Sequence, residues 1–173
     1  MVIWITGVSG AGKTTLSSSL QRLLKKFLPQ LIIVDGDIVR QMFGGDLDYS
    51  EASRTKQIQR IQHLAKWLEE QSCIVIVAAL YAHPNLLKWN RENFKSYFEV
   101  YIEAPMELLR KRDSKGLYRS SADRQVRNVV GIDIPWHAPQ NPDLTIDAKL
   151  ETNPDDLARR VIARIPSLAA VIA

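Results

Sequence analysis

A single cysteine, Cys73, stands in the 173 residues of this sequence, so no intramolecular disulfide can form and nothing points to an oxidising compartment. No apolar run approaches the roughly 20 residues that a membrane-spanning helix needs. The opening Met1-Val2-Ile3-Trp4-Ile5-Thr6-Gly7 lacks the basic leader, the longer apolar stretch and the small-residue cleavage site of a secretory signal. The expectation is a cytoplasmic protein with no membrane partner. The three histidines, His63, His83 and His137, have no cysteine or carboxylate at ligand spacing, which argues against a metal site built on them. Neither sign of charge dominates: 23 Lys and Arg against 19 Asp and Glu leave +4, a mild excess that favours anionic ligands without requiring nucleic acid. Hydrophobic residues at 46% and charged residues at 24% match a soluble globular protein, and residues 1–173 are expected to form one domain.

Short apolar runs alternate with helical patterns. Residues 2–6, 31–34, 73–79, 96–102 and 144–146 read as strands. Leu16, Leu20, Leu23, Leu24 and Phe27 recur at helical spacing until Pro29. Ile58, Ile61, Leu64, Ala65 and Leu68 mark one face of a long helix, with Ser50 or Ser53 as its N-cap, and Asp35-Gly36-Asp37 stops the second strand. Strands buried on both faces and separated by helices predict an α/β fold, a doubly wound parallel sheet. Residues 113–136 are polar, basic and weakly periodic, which suits a mobile lid. The basic residues Arg110, Lys111, Arg112, Lys115, Arg119, Arg124 and Arg127 are then better explained as covering phosphates than as a nucleic-acid patch.

Gly7-Val8-Ser9-Gly10-Ala11-Gly12-Lys13-Thr14 matches G-x-x-x-x-G-K-[ST] between a strand and a helix. Chance supplies such a match in roughly 0.2% of chains of this composition. Its glycines let the backbone curl so that successive N–H groups face a β-phosphate at a helix N-terminus. Lys13 then reaches the β- and γ-phosphates of ATP, and the Thr14 hydroxyl ligates Mg²⁺. The loop, carried on to Thr15, is the expected nucleotide site. No N-K-x-D is present to read guanine, and the third strand ends in Ala78-Ala79 without an acid. The carboxylates instead follow the second strand, at Asp35 and Asp37, beside the γ-phosphate, where an acceptor hydroxyl must lose its proton. A small-molecule kinase fits this arrangement; the rival is a regulatory module that binds a nucleotide without transferring phosphate.

Further segments sharpen the reading. They are D-G-D-I-V-R at 35–40, E-V-Y-I-E-A-P at 99–105, R-D-S-K-G-L-Y at 112–118, G-I-D-I-P at 131–135 and N-P-D-L at 141–144. With the loop, they resemble the adenylylsulfate kinases, P-loop enzymes that phosphorylate the 3′-hydroxyl of adenosine 5′-phosphosulfate (APS) with ATP. The resemblance implies that Asp35 is the base or the carboxylate that orients the acceptor hydroxyl, with Asp37 beside it. It implies that Arg40 and Arg54 hold the acidic acceptor, that Arg112 and Lys115 belong to the lid over the nucleotides, and that the protein is a homodimer.

The departures cluster on the acceptor side. Where the family has G-F-S-x-x-D-R-x-x-N, this chain places Ser53 before Arg54 and Gln57 for the Asn. F-I-S-P-Y reads Leu80-Tyr81-Ala82-His83-Pro84, and F-T-G-I-D reads Val129-Val130-Gly131-Ile132-Asp133, so Val129 replaces the phenylalanine expected to stack on the acceptor's base. Such stacking is worth about 1–3 kcal/mol. The A-A-L-Y run and N-V-V-G-I-D-I-P-W also resemble the branch that phosphorylates cytidine diphosphoramidate. APS is the expected acceptor, with cytidine diphosphoramidate as the alternative.

Overall fold

A computed structural model describes residues 1–113, 116, 118, 128–150 and 153–172. Five parallel strands, β1 (Val2–Thr6), β2 (Leu31–Asp35), β3 (Ile74–Ala79), β4 (Tyr97–Glu103) and β5 (Leu144–Asp147), form one sheet in the order β2-β3-β1-β4-β5. The doubly wound parallel sheet expected from the sequence is present. Each strand lies within one or two residues of its predicted span. The third starts one residue late because Ser72, at φ 64°, turns the chain immediately before it.

The pleat sorts the apolar residues of β1 between two helical layers. Ile3 and Ile5 belong to a cluster with Leu16, Leu20 and Leu24 of α1 (Lys13–Leu24) and with Ala158, Val161 and Ile162 of α6 (Pro154–Arg164). Val2 and Trp4 cluster with Ile58, Ile61 and Ala65 of α3 (Glu51–Glu70) and with Leu86 and Leu87 of α4 (Pro84–Asn93). Fully burying each such aliphatic side chain contributes about 1.5–3 kcal/mol. Among the described residues the remaining helices are α2 (Gly36–Met42), α5 (Met106–Arg112) and α7 (Pro166–Ile172).

Three helix ends have identifiable causes. α1 stops short of Phe27, whose half-exposed ring carries the Lys26 ammonium 4.5 Å above it and so does not extend the buried stripe. Of the two serines offered as caps for α3, Ser50 takes the position and accepts the Ser53 N–H. Asp35-Gly36-Asp37 ends β2 and also starts α2, because the Asp35 carboxylate accepts the Asp37 N–H at 2.9 Å.

The 141–144 segment proves to be a brace. Asp143 accepts the Glu99 N–H at 2.7 Å and lies 3.3 Å from Arg91, which also donates to the Asn141 carbonyl. Arg91 Nη2 stands 3.5 Å from the buried Glu99 carboxylate, which accepts the Tyr97 hydroxyl at 2.8 Å. This network ties α4 to β4 and to the entry of β5.

Candidate active site

The loop between β1 and α1 is held by sterics and hydrogen bonds. A Cβ on Gly7 would lie 2.8 Å from the Ile102 carbonyl oxygen of β4, so only glycine permits this approach. Gly12, at φ 109°, occupies the left-handed region at the N-cap of α1, whose first N–H groups have no partners within the helix. Lys13 Nζ folds back over the loop and donates to the carbonyls of Gly7 (2.7 Å) and Val8 (2.9 Å). Tyr118 is buried, which raises its pKa, and its hydroxyl donates to the Ser9 carbonyl at 2.8 Å.

Beyond the loop lies a cleft of about 620 Å³ over the C-terminal end of β3. Ser9, Gly10, Gly12, Lys13, Thr14 and Thr15 form one end of its lining. Asp35, Asp37 and Arg40 enter from β2 and α2, and Arg54, Gln57 and Val129 line it farther on. The small side chains of Ala78 and Ala79, where an acid was absent from the sequence, contribute to its wall. Thr14 Oγ1 donates to Asp35 Oδ2 at 3.0 Å, which links the loop after β1 to the end of β2 across the intervening β3.

The two arginines are cations held by backbone. Arg40 donates to the carbonyls of Leu47 (2.8 Å) and Asp48 (2.9 Å); Arg54 donates from Nε to Tyr49 O (3.0 Å) and from Nη2 to Asn128 O (2.7 Å). Both guanidinium groups face the ring of Tyr49, at 4.7 and 5.5 Å. Among the described residues neither forms an ion pair with a carboxylate. Burial, and then the neighbouring Arg40 charge, lower the Arg54 pKa from its ordinary value. Arginine nonetheless stays protonated in proteins.

Other expected residues take different places. Gln57 lines the cleft, yet its amide donates to Gly36 O at 3.1 Å and accepts from Arg60, so it braces the start of α2. Val129 is buried in the core cluster that contains α1. Gly7 lies against β4 rather than on the cleft. Ala11 and Arg112 line a second cavity of about 430 Å³ on the other side of the loop, with Ile102, Ile146, Ala148, Pro154 and Leu157. Lys115 lies outside the described residues, as does half of the lid expected over 113–136, so its mobility does too. Among the described residues no cluster of three His, Cys, Asp or Glu could hold a metal.

Sequence reasoning missed the second cavity and several cleft residues. Among them is Tyr49, whose ring both guanidinium groups approach. Tyr81, whose buried hydroxyl donates to Glu51 at 2.6 Å, and Asn128, at φ 63°, also line the cleft.

Comparison with known proteins bears on the same residues. The family model described as adenylylsulphate kinase matches residues 1–147. An adenylyl-sulfate kinase of Pseudomonas aeruginosa is 37% identical over 164 residues, covering 94% of this chain and 83% of the relative. A cytidine diphosphoramidate kinase of Campylobacter jejuni is 34% identical over 164 residues, with 95% of each chain covered. The solved structure of a Mycobacterium tuberculosis APS kinase, in complex with AMPPNP and APS, superposes with a TM-score of 0.87 at 30% identity, covering 95% of this chain and 96% of that one. A model that spans the loop, the paired aspartates and both arginines, together with relatives that align along nearly the whole length, makes this chain a member of the adenylylsulphate kinase family.

Proposed function

We propose that the protein transfers the γ-phosphoryl group of ATP to the ribose 3′-hydroxyl of APS. The observation that carries this reading is the layout of one cleft. The Thr14–Asp35 hydrogen bond lies near the phosphate loop, and two guanidinium groups without carboxylate partners among the described residues lie farther along. Phosphoryl transfer asks the protein for positioning and charge stabilisation more than for covalent chemistry. On ATP binding, Lys13 exchanges the Gly7 and Val8 carbonyls for phosphate oxygens. Asp35 orients the acceptor hydroxyl and accepts its proton, with Asp37 alongside. Arg40 and Arg54 hold the acceptor's anionic phosphosulfate end, which planar guanidinium forks suit. The second cavity, with its apolar walls and the Arg112 guanidinium, suits the adenine of ATP, a residue set that includes Ala148, Pro154 and Leu157.

The donor set also fits Mg²⁺. A hydroxyl and a carboxylate oxygen 3.0 Å apart are the hard ligands this ion takes alongside waters, and Thr14 and Asp35 would hold it. Held by Thr14 and Asp35, the ion would supply neutralisation of the charge on the transferring phosphate.

One observation favours a second acceptor. Val129 offers no aromatic ring where the family resemblance expects one, and the Campylobacter jejuni relative, which covers 95% of this chain, is a cytidine diphosphoramidate kinase. Acceptor-dependent ADP release measured side by side with both compounds decides the matter. A kcat/KM at least about tenfold higher for APS, or about 1.4 kcal/mol of discrimination, is expected. The reverse ratio replaces APS as the acceptor, and ATP binding without acceptor-dependent release by either compound reduces the protein to a nucleotide-binding module.

The same proposal takes residues 1–173 as one kinase domain that works in the cytoplasm as a homodimer. Supporting observations are that no helix among the described residues is long and apolar enough to cross a membrane, and that Ile38, Met42 and Phe43 expose apolar surface on and after α2. Light scattering reads the assembly directly.

A further inference from the structure

We infer that Asp133 is a positioning residue for acceptor binding, acting on Arg54 through the backbone of Asn128; this rests on the proposed role of Arg54. Asp133 lies outside the lining of the cleft and touches neither arginine through a hydrogen bond. Its two carboxylate oxygens instead accept the N–H groups of Asn128 and Val129. The turn closes further through the Ile132, Asp133 and Ile134 N–H groups, which converge on the Val129 carbonyl at 3.1, 3.1 and 3.2 Å. Asn128 is thereby kept at φ 63°, a left-handed conformation uncommon outside glycine that asparagine tolerates better than most residues.

The consequence lies on the other side of that residue. The carbonyl of Asn128 receives Arg54 Nη2 at 2.7 Å, and the second anchor of the guanidinium is the Tyr49 carbonyl at Nε. With both anchors the fork has one orientation beside the Tyr49 ring. With the Asn128 carbonyl free to turn, Arg54 keeps one anchor and can swing about it. A carboxylate gives each of the two N–H groups its own charged oxygen, whereas an amide is neutral and sets its NH2 donor against one of them. The Asp133 charge additionally favours the Arg54 cation.

The test is Asp133→Asn, read in two ways. In a ¹⁵N–¹H spectrum, the Arg54 Nε–Hε cross-peak, identified by its loss in Arg54→Lys, should move toward the positions of exposed arginines in Asp133→Asn. In kinetics with APS, the acceptor KM should rise about tenfold while the KM for ATP stays within about twofold. Placed on Arg54→Ala, Asp133→Asn should add less than about twofold, because the residue through which it acts is gone. An unmoved cross-peak, an equal rise in both KM values, or effects that multiply in the double variant would each overturn the assignment. A melting temperature within a few degrees of wild type guards against general unfolding, and the cross-peak arm needs no acceptor. If the wild-type protein does not turn over APS, the reading of the acceptor falls while that arm still decides the role of Asp133.

Discussion

Replacing Asp35 by asparagine and, in a second variant, by alanine separates two tasks that one carboxylate performs. Its Oδ1 accepts the Asp37 N–H at 2.9 Å and caps α2, and its Oδ2 accepts the Thr14 hydroxyl at 3.0 Å. Asparagine is as good an N-cap as aspartate, so Asp35→Asn keeps the first task and loses the charge and proton affinity on which the second depends. Removing a general base costs about 10²–10⁴ in rate, and a loss of that size in kcat is expected. Asp35→Ala loses the cap as well, about 1 kcal/mol. For a chain of this size, that corresponds to a melting temperature about 2–4 °C lower. ADP release at saturating ATP and acceptor gives the rate, and thermal unfolding followed by circular dichroism gives the stability. The expected pattern is an equal loss of kcat in both variants and a loss of stability in the alanine variant alone. Turnover of Asp35→Asn within tenfold of wild type would remove the carboxylate from proton transfer. An unchanged melting temperature in Asp35→Ala would show that the cap contributes nothing.

Two further outcomes follow from the geometry. Lys13→Ala should lower kcat by at least about 100-fold with its circular dichroism unchanged, since the ammonium bonds loop carbonyls rather than the core; near-normal turnover would dismiss it from phosphate stabilisation. Burial, and secondarily the Asp143 charge, hold the Glu99 carboxyl above its usual 4.5, against the Tyr97 hydroxyl and the Arg91 cation, which pull it down. A raised folded-state value means that the native protein binds this proton more tightly than the unfolded chain does. Its contribution to stability is therefore complete below about pH 4.5 and is lost as pH rises through the folded value. Urea midpoints of wild type relative to Glu99→Gln should accordingly shift against wild type between pH 4.5 and neutrality, and parallel pH profiles would contradict the assignment.

The sheet was legible because its strands are short apolar runs with breakers at their ends, and a strand with both faces buried leaves that mark whatever its neighbours do. The phosphate loop was legible because its glycines answer to local geometry, as the 2.8 Å approach of a Gly7 Cβ to Ile102 O illustrates. α2 was hidden because Asp35-Gly36-Asp37 carries the same residue types as a turn, and only the cap bond distinguishes the two. The acceptor end was readable only through family resemblance. Tyr49 with Arg54, Tyr81 and Asn128 meet there from three separate segments, and no spacing in a single chain encodes that meeting. Gln57 carries contacts that the family pattern did not reveal: it lines the cleft, and its amide also bonds Gly36 and Arg60.

The Thr14–Asp35 hydrogen bond also marks a seam between two groups of residues. On one side, the residues proposed to serve the phosphoryl donor are carried by β1, the loop and α1. On the other, those proposed to face the acceptor are carried by α2, the start of α3 and the turn at 128–134. Substitutions among the polar groups of the second set leave the loop's own bonds in place, because Lys13 is held by the Gly7 and Val8 carbonyls and Gly7 lies against β4, while Val129 packs in the core cluster that also holds α1. A change of phosphorylated metabolite is then an accessible evolutionary step that needs no new fold and no new donor chemistry. That would account for how relatives named for two different acceptors, at 37% and 34% identity, each align with this chain over 164 residues.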